Sequence, residues 1–241
     1  MEEKDGQWML RGAAADDPLR LRSAEELIRL VEEYGLLPYF GMGIPGFSVE
    51  ERTDASAWWS GDPARDPWEW RGIAAESGRV CYGKFFRGKA GFISRELLPL
   101  FINFRRNGYD FDSLWEDEKA SYRDKRIMDL FSDGKSYLSC DLKRLSHFGG
   151  DGEKNFAGTV TSLMMRTYLA VSGFRCRLNR QGLPYGWKVS VLCTPEALFG
   201  SGYVTSAYGE LPEESGRKLL VRAKELCPET DEKDLLRLLA L

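Results

Sequence analysis

Three kinds of side chain in this sequence could carry chemistry: scattered carboxylates, one histidine, and a run of basic and amide residues between 137 and 192. Asp54, Glu69 and Asp112 are the carboxylates that qualify for general acid or base work, since a positioned carboxylate can take a proton from water. The bland reading of each is a surface or capping acid, and no spacing selects one. His147 sits between Ser146 and Phe148 beside a glycine turn. A single histidine does not make a His-based metal site or a proton relay, so His147 reads as structural and no metal is expected. Nucleotide cofactors are not expected either. The chain has no Gly-x-x-x-x-Gly-Lys-Ser/Thr loop, and Gly41-Met42-Gly43-Ile44-Pro45-Gly46 is interrupted by proline with no helix following directly. There is no Gly-x-Ser-x-Gly elbow, and any Ser/His/Asp site would have to use His147.

The basic run has an order of its own. A short helix opens at Ser139, a turn follows at Gly149-Gly150-Asp151-Gly152, and a second helix is expected from about Glu153 to Ser172. Two strands follow, 174–179 and 187–192, joined by a Gly/Pro loop. Helix, turn, helix and two-stranded wing is the order of a winged helix-turn-helix. On the second helix the 3.6-residue period puts Phe156, Val160, Leu163, Met164 and Tyr168 inward. Lys154, Asn155, Thr159, Ser162 and Arg166 fall on the opposite face. On the wing, Phe174, Cys176 and Leu178 alternate with Arg175, Arg177 and Asn179, and Trp187, Val189 and Val191 with Lys188 and Ser190. With Arg180 in the loop, one face is cationic and the other apolar. From 135 to 190 there are nine Lys/Arg against three acids, a local +6 in a chain of net charge −3. That asymmetry is the footprint of a phosphate-binding patch, with double-stranded DNA as the expected partner. A solvated helix and hairpin serving protein contacts is the competing reading.

The rest of the chain must position these residues. At 241 residues, 43% hydrophobic and 29% charged, it has the composition of a globular protein with one large core or two small ones. No apolar run reaches membrane-spanning length, and the start, Met1-Glu2-Glu3-Lys4-Asp5, is too acidic for a signal peptide. Five isolated cysteines, odd in number and without a Cys-x-x-Cys pair, read as buried thiols of a cytoplasmic protein. Capping boxes at Ser23…Glu26 and Ser48…Glu51 open helices, the first ending at Gly35 and the second reaching Trp58-Trp59. Leu36 to Phe40 then leads into a Gly/Pro loop. Trp58, Trp59, Trp68 and Trp70, beside Tyr39, Phe40, Arg52, Arg65 and Arg71, could stack on an unstacked base or simply form a core. Strands at 80–86 and 90–93 flank Arg87-Gly88-Lys89, and Ser94 caps a helix ending at Asn107-Gly108. Further helices are expected at 122–131, after Thr194-Pro195, at 212–226 and at 231–241. The fold class is α-rich α+β, with tandem winged helix-turn-helix units and short β-hairpins. The expected divisions are a poorly ordered 1–22, an N-terminal helical, winged-helix-like domain at 23–120, the winged helix-turn-helix domain at 121–200, and C-terminal helices packing on it at 201–241.

Tyr82-Gly83-Lys84-Phe85-Phe86 through Phe92-Ile93-Ser94 to Arg105-Arg106, then Leu138-Ser139-Cys140-Asp141-Leu142 and Gly173-Phe174-Arg175-Cys176-Arg177…Tyr185-Gly186-Trp187, form a recognisable series. Together with the helices at 219–239, this order resembles the AlkZ/YcaQ-type winged-helix proteins over roughly 24–240. These are bacterial DNA glycosylases that release alkylated bases from interstrand crosslinks. The resemblance implies tandem winged helices, DNA as partner and a role in DNA repair. It also implies a Gln-x-Gln soon after the first helix, whose amides hold the hydrolytic water. Here that stretch reads Gly35-Leu36-Leu37-Pro38-Tyr39-Phe40-Gly41-Met42, and Gln7 and Gln181, the two glutamines of the chain, lie elsewhere. The sequence therefore predicts a DNA-binding relative of the glycosylases without their base-excision chemistry. The alternatives are a non-enzymatic interaction or regulatory module, and a glycosylase acting through an unrecognised carboxylate.

Overall fold

In a computed structural model of the chain the described residues are 2–4, 7–10 and 12–239. Strands β1 (Glu2–Lys4) and β2 (Gln7–Met9) pair antiparallel with each other. The other strands are β3 (Leu36–Pro38), β4 (Val80–Phe86), β5 (Lys89–Ser94), β6 (Tyr137–Leu138), β7 (Ala170–Leu178) and β8 (Pro184–Cys193). They form one antiparallel sheet in the order β3-β5-β4-β7-β8-β6. The two hairpins expected as separate wings are thus joined edge to edge, through the pair Tyr82 and Val171.

Successive strand residues point to opposite faces, and here both faces are buried. Leu37, Tyr82, Phe92, Val171 and Leu192 enter one core; their neighbours Leu36, Cys81, Ile93, Ala170 and Cys193 enter the other. The first core is closed by α1 (Ala24–Tyr34), α2 (Pro67–Glu76), α6 (Ser139–Leu145) and α7 (Phe156–Met165). The second is closed by α3 (Leu98–Arg106), α10 (Pro212–Leu226) and α11 (Glu232–Leu239). Shorter helices α4 (Phe111–Glu116), α5 (Tyr122–Met128), α8 (Pro195–Phe199) and α9 (Ser201–Val204) complete the chain. The class is α+β. Each fully buried Leu, Ile or Phe contributes roughly 1.5–3 kcal/mol, so the twice-covered central strands form the most strongly held part.

Local signals explain the helix ends. Ser23 Oγ accepts from Glu26 N at 3.2 Å, and Gly35, left-handed at φ 86°, stops α1. Glu26 accepts from Arg22 N instead of the N–H of Ser23. Asn107, at φ 53°, ends α3. The last turn of α3 is buried: Arg105 donates to the Leu239 and Met165 carbonyls, and burial pulls its pKa down to about 9, so it stays charged at neutral pH. Arg106 is ion-paired with Glu196 and donates to the Thr167 carbonyl. Both arginines tie elements together inside the molecule.

Several expectations are corrected. The helix expected over 153–172 is α7, Phe156–Met165. Asn155 is left-handed (φ 66°) before it, and Thr167 (φ 62°) breaks the chain away after it. The residues beyond Thr167 then enter the sheet, so strand pairing wins over helical periodicity and Tyr168 packs from a turn onto Phe111. The helix expected after Ser48 is two 3-10 turns, Glu50–Arg52 and Ala55–Ala57. Between them, Asp54 takes the Ser56 N–H with its own carboxylate, a side-chain bond that competes with helix. Leu36–Pro38, expected as lead-in to a loop, is a strand. Trp187, expected to point inward with Val189 and Val191, and Leu178, expected inward with Phe174 and Cys176, are 88% and 62% exposed, because the hairpin runs on past the core and a bulge between Arg175 and Arg177 shifts its register. Residues 12–22 lie along 52–54, with Ala13 N bonded to the Thr53 carbonyl and Leu21 N to that of Arg52. The last two residues of the helix expected at 231–241 lie outside the described residues.

Candidate nucleic-acid interface

Of the predicted binding residues, the structure brings Asn155, Thr159, Ser162 and Arg166 to one groove of about 650 Å³ between α5 and α7. Lys154, next to it in sequence, is exposed. Thr159 is buried in the wall of that groove, and its hydroxyl donates to the Asn155 carbonyl of the preceding turn at 3.1 Å. Asn155 is bent back over the first turn of α7, close enough that a Cβ on Gly158 would fall 2.5 Å from its amide. Arg166 is ion-paired with Asp124 at 2.7 Å, and Arg123 with Glu153 at 2.7 Å.

The hairpin is the more cationic surface. No acid occurs from 174 to 190. Arg177 lies over the Tyr185 ring, 5.0 Å from its centroid, and Arg180 is exposed in the loop. Trp187, Leu178, Leu183 and Tyr185 are exposed beside them. Arg175 and Lys188, by contrast, are tied to Glu76 and Glu69 of α2. Lys135 and Arg144 also have carboxylate partners. Among the described residues, Lys143, Lys154, Arg177 and Arg180 are the members of the basic run that form no ion pair. The excess of +6 counted along the chain is therefore offset in space by acids from outside the run.

The seam between α2 and the hairpin is a cleft of about 310 Å³, lined by Trp68, Glu69, Arg71, Phe174, Arg175 and Lys188 among others. Its floor is Arg71, only 9% exposed, whose guanidinium carbon lies 3.2 Å from the Trp68 centroid and 4.2 Å from that of Phe174. The tryptophan cluster thus divides. Trp58 and Trp70 are core, with indole N–H groups given to Thr53 Oγ1 and the Pro63 carbonyl. Trp68 stacks on the protein's own arginine. Gly173 allows the close seam, since a Cβ there would lie 2.6 Å from Glu76 Oε1.

The catalytic candidates are scattered. Asp54 caps a 3-10 turn, and hydrogen bonds from Ser56, with Arg20 at 2.7 Å, hold its carboxyl below the usual range. Asp112 is exposed in the first turn of α4. Glu69 lines the cleft between α2 and the hairpin, ion-paired with Lys188. In the stretch 35–42, Leu36 and Leu37 are fully buried, and the Tyr39 hydroxyl donates to the Pro67 carbonyl. Burial pushes that hydroxyl well above its ordinary pKa. One group escaped the sequence reading: Glu50, fully buried, whose carboxylate accepts from Gly41 N at 3.1 Å. Its neighbour Glu51, which does bond Ser48, carried the capping-box signal and drew the attention. His147 is exposed and left-handed (φ 55°), and its carbonyl accepts from Glu153 N, so it shapes the turn through its backbone.

A helix-covered antiparallel sheet carrying a protruding basic and aromatic hairpin defines the class of protein. The AlkZ-related family matches residues 21–240, and the chain belongs to that family, which is related to DNA glycosylases. Comparison with curated proteins and with solved structures gave no match. Among the described residues no helix is long and apolar enough to cross a membrane.

Proposed function

We propose that this AlkZ-related protein binds double-stranded DNA through the 174–190 hairpin and the exposed side of α7, without the base-excision chemistry of glycosylases. The observation that carries the reading is the hairpin. It has no acid, it presents Arg177 and Arg180 unpaired, and it stands on a chain whose remainder is acidic. Phosphates favour such a surface, because each neutralised charge releases condensed counterions. Lys154, Ser162 and Arg166 extend the surface along α7, and Lys143 lies on the preceding helix. The chemistry is withdrawn because the stretch after the first helix, where the resemblance expects the water-holding amides, offers no accessible polar side chain: Tyr39 is spent on Pro67. The winged helix-turn-helix reading of 121–200 belongs to the same proposal, with α6, the glycine turn, α7 and the hairpin in that order.

A second reading has its own support. Trp187, Leu183, Leu178 and Tyr185 form an exposed apolar hairpin surface of the kind that docks another protein. Fluorescence anisotropy on a labelled duplex at several salt concentrations separates the two. DNA binding gives affinity falling steeply with salt, and a protein-docking hairpin gives none.

A further inference from the structure

The cleft between α2 and the hairpin holds a buried cation that the proposed duplex surface does not use. Among the described residues Arg71 forms no ion pair, although it is nine-tenths buried. The Trp68 and Phe174 rings both lie against its guanidinium, with the central carbon 3.2 and 4.2 Å from their centroids, and its N–H groups remain the means of directed hydrogen bonding. The Tyr82 hydroxyl shares those groups. At the rim, Arg175 and Lys188 converge, each held by a glutamate of α2. The cleft thus has three cations against two carboxylates, and both rim pairs are partly solvated. Exposed pairs of this kind contribute little and rearrange readily. A guanidinium presented edge-on is matched bidentately by phosphate or carboxylate oxygens. The cleft volume of about 310 Å³ is at the lower end for small-ligand sites.

Which anion fits follows from the recess. An internal phosphodiester of a duplex is flanked by two sugars and runs along a convex surface, so it cannot enter a cleft to reach a cation this deep. A phosphomonoester can, because it has three free oxygens and carries about −1.5 to −2 charges at neutral pH. We propose that this cleft binds a phosphomonoester, gripped edge-on by Arg71, with Lys188 and Arg175 turning to it from Glu69 and Glu76. The source is either the phosphorylated end of a DNA strand or a free phosphate. The first source rests on the DNA-binding reading; the chemistry of the site does not.

The test uses the full chain and labelled nicked duplexes carrying 5′-phosphate, 3′-phosphate or hydroxyl groups at the nick. A phosphate-bearing nick is expected to bind at least about tenfold tighter than the hydroxyl nick, a gain in the range of charge-assisted hydrogen bonds. R71K should abolish the gain while leaving hydroxyl-nick affinity unchanged. E69Q and E76Q, which keep the side-chain size, should enlarge it by freeing the rim cations. Equal affinity for all nicks in the wild type, or an undiminished gain in a folded R71K protein, overturns the proposal. If no duplex binds at all, the DNA reading fails, and melting with 10 mM inorganic phosphate or a nucleoside monophosphate decides this one. A rise in Tm absent from R71K establishes a free-phosphate site, and no rise overturns it.

Discussion

Lys188 on the return strand of the hairpin is ion-paired with Glu69 of α2, 119 residues earlier in the chain. Arg175 and Glu76 make the same connection across the same seam. The two pairs bridge the base of the hairpin and the helix and neutralise two of its cations. The cations of the hairpin that are left for DNA are then Arg177 and Arg180, beside Lys143 and Lys154 outside it.

Replacing Arg177 and Arg180 together by alanine is expected to weaken duplex binding similarly across sequences and to lower the salt slope by about two units, one for each phosphate contact. Replacing Lys188 alone should have a smaller effect on the slope, because it is already neutralised by Glu69. Anisotropy titrations from 50 to 200 mM salt measure both. A double variant with an unchanged slope would move the hairpin off the DNA.

Asn155 carries two separable roles. Its left-handed backbone, φ 66°, favours Asn or Gly, and a Cβ-bearing residue without a compensating side chain is strained there by about 1–2 kcal/mol. Asn155→Ala should therefore lower the stability, and Asn155→Gly should not. If the amide also reads bases, both variants lose sequence preference equally in a selection from random duplexes. A preference surviving in the glycine variant would assign Asn155 to the turn alone.

How much of this was legible depends on how local each cause is. Ser23 and Gly35 bound α1 through groups within a few residues, and the Arg87-Gly88 turn joins two strands directly, so both could be read. The pairing of Tyr82 with Val171 could not: nothing near either residue specifies the other, and it converts two expected wings into one sheet. The same holds for Thr167, whose left-handed turn is held by Arg106 donating to its carbonyl from a distant helix. Periodicity placed Val160, Leu163 and Met164 correctly in the core, because α7 is a helix there, and misplaced Trp187, because alternation carries no information on where the core ends. For the site, Glu69 was named and does line a cleft, while Arg71 was read only as a neighbour of tryptophans. Charge counting along the chain missed Glu69, Glu76 and Asp124 as the partners of its cations.

Acid stability has a predictable sign. Arg79, hydrogen-bonded to both Glu25 and Glu32, holds their carboxyls below the ordinary value of 4.5. A depressed carboxylate contributes stability that is fully present above about pH 4.5 and is lost as pH falls through the lowered value. The Tm difference between wild type and R79M should therefore be largest at neutral pH and shrink below pH 4. All three side chains are exposed, so the difference should also be small and shrink further in 0.5 M salt. A difference that grew on acidification would mean that Arg79 acts through packing.

Catalysis is predicted negatively. DNA binding supplies proximity, but base release needs water oriented at the sugar carbon, and the side chains that face that task here cannot provide it. Leu36 and Leu37 have no polar atoms, and the Tyr39 phenol is buried, bonded to Pro67 and harder to ionise than a free phenol. Asp54 is bonded by Ser56 and Arg20, which lowers its basicity. Incubation with N7-methylguanine or crosslinked duplexes, then alkaline cleavage and gel analysis, should show no abasic sites above the uncatalysed rate, even at saturating protein. Tyr39→Phe should leave that result unchanged while costing about 1–3 kcal/mol of stability, since the Pro67 carbonyl loses its partner in a dry interior. Robust turnover would overturn the prediction. Its loss in one of E69Q, D54N or D112N would then name the base, with Glu69 the first to test because it lines the cleft between α2 and the hairpin.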